Sequence, residues 1–234
     1  MRLPYTTHNL PNPNPNPTTT TTTEEDQAII SRIAARRAPR PLQPLDLALL
    51  HAPPVADGWN SFLGAIRTRT TQLDAAVREL VICRVAVCNR AWYEWGHHAP
   101  LALAAGVSEA ALARGGVVRF EGAYIDKNGG LGSWEEAGLT EKQWVALNYA
   151  DEMTRNVRVG DGTFEELRRV CGGGGVGGER EVVEITATVG LETFFFLLYP
   201  LFFSLAPYLL GLDCSYIRAG PFRACLRGQG IEES

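Results

Sequence analysis

The chain has no C-x-x-C pair, no paired Cys/His spacing of the zinc type, and no Lys/Arg run of the nucleic-acid-binding type. The first two absences leave a structural zinc site without ligands. The third, with a formal net charge of -4, leaves no basic field that would hold a polyanion, so nucleic acid is not expected as a partner. No apolar signal-peptide segment opens the sequence, and the five cysteines (Cys83, Cys88, Cys171, Cys214, Cys225) form an odd, irregularly spaced set. They read as reduced thiols of a cytoplasmic protein. Convincing period-two alternation is also missing; RFEGAYID at 119–126 and the aromatic-rich end are ambiguous, and the fold class expected is all-α.

What is present suits one ordinary domain with disordered ends: 234 residues, 45% of them hydrophobic. Residues 1–23, with Pro and Asn alternating before a threonine run, read as a low-complexity tail. Residues 24–43 read as a leading helix, with Ile29, Ile30 and Ile33 at helical spacing, then a Pro-rich linker begun by Pro39 and Pro41. The domain proper is expected over 44–212, and 213–234 form an atypical C-terminal tail.

From Leu73 to Cys88 the pattern Leu73, Val77, Leu80, Val81 fits a helix. Ile82, Val85 and Ala86 extend its apolar surface nearly all round, which predicts a central position. Asn89 is the expected N-cap of the next helix, about Ala91 to Ala105, stopped by Gly106 and interrupted by Pro100. Ser108 before EAALA, and the boxes Thr140-x-x-Gln143 and Thr163-x-x-Glu166, predict three more helix starts. The Gly-rich run 172–178 contains a formal G-x-G-x-x-G match but follows a helix and lacks a Lys-Ser/Thr, so it is expected to be a flexible connection. Val182, Ile185 and Val189 begin another helix, leading into an uncharged stretch from Phe194 to Leu212. That stretch is long enough to raise a transmembrane span, but Pro200 and Pro207 are expected to break it, and a buried or subunit-interface helix pair is the preferred reading.

Reactive side chains are densest in Trp92-Tyr93-Glu94-Trp95-Gly96-His97-His98, just after the central helix that carries Glu79 and Arg84. On a helix Glu94 lies one turn before His97 and His98, and Tyr93 lies four residues before His97, so two neighbouring polar pairs can form and one should face inward. Glu94-x-x-His97 is also half of a di-iron bundle motif, but the second half is missing, so no metal is expected. The same residues also suit a core that packs its aromatics and hydrogen-bonds their polar tips, and Arg84 with Glu79 would then be a buried ion pair.

The segment RELVICRVAVCNRAWYEWGHHAPLALAAG, Arg78 to Gly106, resembles the core of the carboxymuconolactone decarboxylase and alkylhydroperoxidase D-like superfamily. GLTEKQWVALNYADEMTRNVRV, DGTFEEL and EVVEITATVGLETF follow in that superfamily's order, so that the likeness spans roughly Pro44 to Leu212. In the peroxidase branch a glutamate is followed by two cysteines and a histidine. Laid on this chain, the glutamate falls on Glu79, the cysteines on Ala91 and Glu94, and the histidine on His98.

The resemblance implies a compact helical subunit that assembles as a trimer or hexamer and carries out cofactor-independent acid-base chemistry on a small carboxylated lactone-like or aromatic-derived molecule. It implies a lyase or decarboxylase rather than a thiol peroxidase, with Glu79, Glu94 and His98 as the catalytic residues. His98 would protonate the carbanion left by carbon dioxide, and Glu79 or Glu94 would set its tautomer and charge. Arg84, Tyr93, Trp95 and His97 are the expected substrate-binding residues, Arg84 for a carboxylate and Tyr93 for a developing oxyanion. A catalytically silent scaffold of the same fold is the alternative.

Overall fold

The computed structural model describes residues 23–69, 73–114, 132–172 and 176–202, without the side chains of 92, 93, 113, 114, 176, 177 and 197–202. The 119–126 segment and the chain beyond 202 lie outside these residues. Among the described residues every regular element is a helix, ten in all, and they divide into two compact units.

The first unit contains the described residues up to Arg69. Helix α1, Glu24–Arg37, is opened by Thr23: its side chain accepts from Asp26 N–H while the Asp26 carboxylate accepts from Thr23 N–H. This reciprocal box satisfies two helix-end donors, so the last threonine of the expected tail belongs to the fold. Ile29, Ile30 and Ile33 are buried as their spacing requires. Pro44 starts α2, Pro44–Leu49, and Pro53 starts α3, Pro53–Thr68, because a proline in the first helical turn gives up an N–H that would have had no partner. Asp46, buried, receives both the Gln43 N–H and a two-pronged bond from Arg37 at 2.8 and 2.9 Å. Arg36 on α1 bonds Asn60 on α3.

The second unit runs from the described residues after Arg69 to Leu197 and is organised by α4, Ala75–Cys88, capped by Asp74. Its apolar circumference is explained by the two clusters it separates. Val77, Val81 and Val85 face one with Tyr149, Leu167 and Ile185; Ala76, Leu80 and Cys83 face the other with Ala102, Leu112 and Leu147. Leu80, Val81 and Ile82 are fully buried, worth about 1.5–3 kcal/mol each.

Asn89 is not the N-cap of the following helix. It ends α4, donating its side-chain amide to the Val85 carbonyl; Arg90 takes a left-handed φ of 54°, and Ala91 opens α5, Trp92–Ala104, without a side-chain cap. Pro100 lies inside α5 and Gly106 follows it with φ 98°. Short helices α6, Glu109–Arg114, and α7, Trp134–Ala137, follow; the Ser108 hydroxyl accepts from Ala111 N–H, as expected of a cap. Helix α8, Glu141–Asn156, has the expected Thr140/Gln143 box. Helix α9, Asp161–Val170, starts before the expected Thr163, from Gly160, with no side-chain cap.

Helix α10, Val176–Phe202, starts within the Gly-rich run, so that the last residues of that run are helical, and it continues through Pro200, which does not break it; Pro207 lies outside the described residues. Gly178 is required at its start: a Cβ there would lie 2.5 Å from the Cys171 carbonyl oxygen. Among the described residues, no helix is long and apolar enough to cross a membrane.

Candidate active site

The 3.6-residue period of α4 sorts its two buried charges onto different faces. Glu79 shares a stripe with Ala76 and Cys83, which face the cluster that α5 enters; Arg84 shares a stripe with Val77 and Val81, which face α8. Glu79 therefore meets the histidine of α5, and Arg84 meets an acid of α8.

His98 Nδ1 lies 2.6 Å from Glu79 Oε2, and its Nε2 lies 3.4 Å from Glu94 Oε2. All three side chains are largely buried. The imidazole is thus hydrogen-bonded at Nδ1 by the carboxylate across the helix pair, and a second carboxylate, a turn back on its own helix, stands within ion-pair distance of Nε2. An imidazolium can donate to both; a neutral ring donates to one only. The second oxygen of Glu79 is engaged as well, accepting from Arg78 Nε at 3.0 Å. Arg78, Glu79, His98 and Glu94 form one chain of contacts that runs from the partly exposed flank of α4 through the buried Glu79–His98 pair.

The three expected catalytic residues are therefore brought together, and Glu94–His98 is the inward pair. His97 is exposed, and Trp95 packs half-buried against the cluster containing Leu80 and Leu147. The Tyr93 side chain lies outside the described residues. Arg84 is placed elsewhere: it is fully buried and bonds Asp151 through Nε at 2.8 Å and through a second nitrogen. Asp151 also accepts from Arg155 Nε at 2.7 Å and from the Cys88 thiol at 3.3 Å. Burial pushes the Asp151 carboxyl up, but the Arg84 charge and the bonds from both arginines outweigh it and hold it below the usual range. Arg84 thus has a structural partner in α8, and Glu79 is not its counter-ion.

The described thiols are poor nucleophiles. Burial, with Glu79 and Glu192 nearby, raises Cys83 well above the ordinary value. Burial brings Cys88 to about 11, and burial with Glu181 brings Cys171 to about 12. Among the described residues no group of three or more His, Cys, Asp or Glu side chains is placed to hold a metal ion.

Sequence reasoning missed Asp151, the Arg78–Glu79 contact and a polar stripe on α10. Glu184, Thr188 and Glu192, spaced four apart, are all buried, and Glu184 accepts the Leu73 N–H at 2.9 Å. That spacing of polar residues within an apolar helix was the available signal.

A helical domain whose central helix pair buries a Glu–His–Glu chain defines the class as an all-α fold with an acid-base cluster. The carboxymuconolactone decarboxylase family model matches residues 53–118, which include Glu79, Glu94 and His98, and this part of the chain is similar to that carboxymuconolactone decarboxylase-like, alkylhydroperoxidase D-like superfamily. That family includes decarboxylases and peroxidase-like members. Comparison with curated proteins and with solved structures finds no match.

Proposed function

We propose that the protein is a cofactor-independent lyase, or a related proton-transfer enzyme, acting on a small carboxylated lactone-like or aromatic-derived substrate. The observation that carries this reading is His98 held between Glu79 and Glu94. Loss of carbon dioxide leaves a carbanion that must be stabilised and then protonated at carbon, and an imidazolium oriented by two carboxylates is a suitable proton donor. The raised thiols of Cys83, Cys88 and Cys171, and Ala91 and Glu94 at the peroxidase cysteine positions, favour this over thiol-peroxidase chemistry. Trp95 and His97, at the edge of the cluster, and Tyr93 are the proposed substrate-binding residues. A homo-oligomer, trimer or hexamer, acting in the cytoplasm completes the reading.

A carbon dioxide release screen over β-carboxy lactones and β-keto acids tests it. Turnover that requires His98 supports the assignment; a blank screen counts against it. One observation favours the alternative, a catalytically silent scaffold: His98 and Glu79 are only 6% and 4% exposed, so substrate must displace packing to reach them.

A further inference from the structure

The acid-base cluster holds two carboxylates and one imidazole, a set that repels an anionic substrate unless a cation stands beside it. Arg84 does not supply that cation, because its side chain is fully buried on Asp151. Arg78 brings a guanidinium into contact with the cluster: its Nε lies 3.0 Å from Glu79 Oε1, and its side chain is 21% exposed. Among the described residues, its terminal nitrogens carry no further hydrogen bond or ion pair. A guanidinium presents five N–H donors in a fixed plane, so one edge can hold Glu79 while the other forks onto a second carboxylate.

We infer that Arg78 is the anchor for a substrate carboxylate, placing that group beside the Glu79–His98 pair. The inference rests on the acid-base reading above for the substrate's class and on the Arg78 geometry for the anchor. With His98 protonated, the charges of Arg78, Glu79, His98 and Glu94 cancel, and an incoming carboxylate meets a neutral cluster with a guanidinium at its outer edge. No bond is made or broken by Arg78; it is a binding residue. Arg84, on another face of α4, holds α4 to α8 and leaves this role open.

The test uses the full chain and two probes of the same shape, benzoate and the neutral benzamide. His98 imidazole resonances, assigned with His98→Gln, report binding. Benzoate is expected to shift them saturably, with benzamide about tenfold weaker, and Arg78→Gln is expected to erase that preference with the helical content unchanged. Arg78→Lys should keep part of it, since a point charge replaces a fork. In any carbon dioxide-releasing reaction, Arg78→Gln should raise KM about tenfold with kcat changed less than about threefold. No saturable benzoate effect on the wild type, equal affinity for the two probes, or unchanged benzoate affinity in Arg78→Gln each overturns the inference. If Arg78→Gln does not fold, the wild-type comparison and Arg78→Lys decide the matter. Benzoate binding through Arg78 with a blank turnover screen leaves the anchor standing and sinks the lyase; turnover with unchanged KM in Arg78→Gln does the reverse.

Discussion

Glu79 and His98, nineteen residues apart and on successive helices, meet at 2.6 Å between Oε2 and Nδ1. A carboxylate on one imidazole nitrogen sets which proton the other nitrogen can give, and here Glu94 stands at that other nitrogen.

His98→Ala and Glu79→Gln are each expected to lower turnover by about 10²- to 10⁴-fold with the helical circular dichroism spectrum retained. The double variant should lose little more than the worse single one, because a proton donor and the group that orients it act as a unit. A loss below about threefold in both singles removes them from the mechanism.

Asp151→Ala leaves Arg84 buried without its carboxylate and should cost about 3 kcal/mol in urea denaturation. The pH dependence has a definite sign. Because the folded pKa of Asp151 lies below its unfolded value, its stabilisation is complete above the ordinary carboxylate pKa of about 4 and is lost as pH falls through the folded value. Wild type should therefore lose stability below about pH 4, and Asp151→Asn should show a shallower decline. Equal slopes for the two would contradict the assignment.

Thiol chemistry should be slow. In a Cys214→Ser/Cys225→Ser background, Cys83, Cys88 and Cys171 are expected to alkylate with iodoacetamide at pH 8 far more slowly than in urea. At a pKa of about 11, Cys88 is about one part in a thousand thiolate. Peroxide consumption with a dithiol donor by the native protein would overturn this and the acid-base reading with it.

Light scattering coupled to size exclusion is expected to give a trimer or hexamer without detergent. Val183 and Phe194 on α10 are 65% and 44% exposed in the single chain, apolar surface that an assembly would cover. A well-behaved monomer would defeat the proposed assembly.

Legibility in the sequence followed the range of the forces involved. Helices α1, α4, α5 and α8 were readable because a capping residue or an i, i+4 apolar stripe is a local signal. Helices α2 and α3 carry a weaker local signal: Pro44 and Pro53 are first-turn residues, and Trp59, Leu63 and Ile66, at helical spacing and buried or nearly so, mark the inner face of α3. In the site, the Glu94–His98 pair follows from i, i+4 geometry, whereas the meeting of Glu79 with His98 came only from the family resemblance. Arg84–Asp151 spans 67 residues, and no period within one helix encodes which acid on another helix a buried arginine will meet. Pro200 failed as a breaker because a helix can continue past a proline when its neighbours keep the turn.

The turn Asn89–Arg90–Ala91, which joins α4 to α5, makes the Glu79–His98 contact one of short chain separation. Its loop-closure entropy is correspondingly small, and the contact order of this helix pair is low, so the pair is expected to assemble ahead of the longer closure between α4 and α8. Substitutions at Leu80 or Ala102 should then slow refolding, whereas Asp151→Ala should chiefly speed unfolding, a distinction read from the two arms of a chevron plot. On that order the acid-base cluster would form among the earliest native contacts of the second unit, before the Arg84–Asp151 clamp.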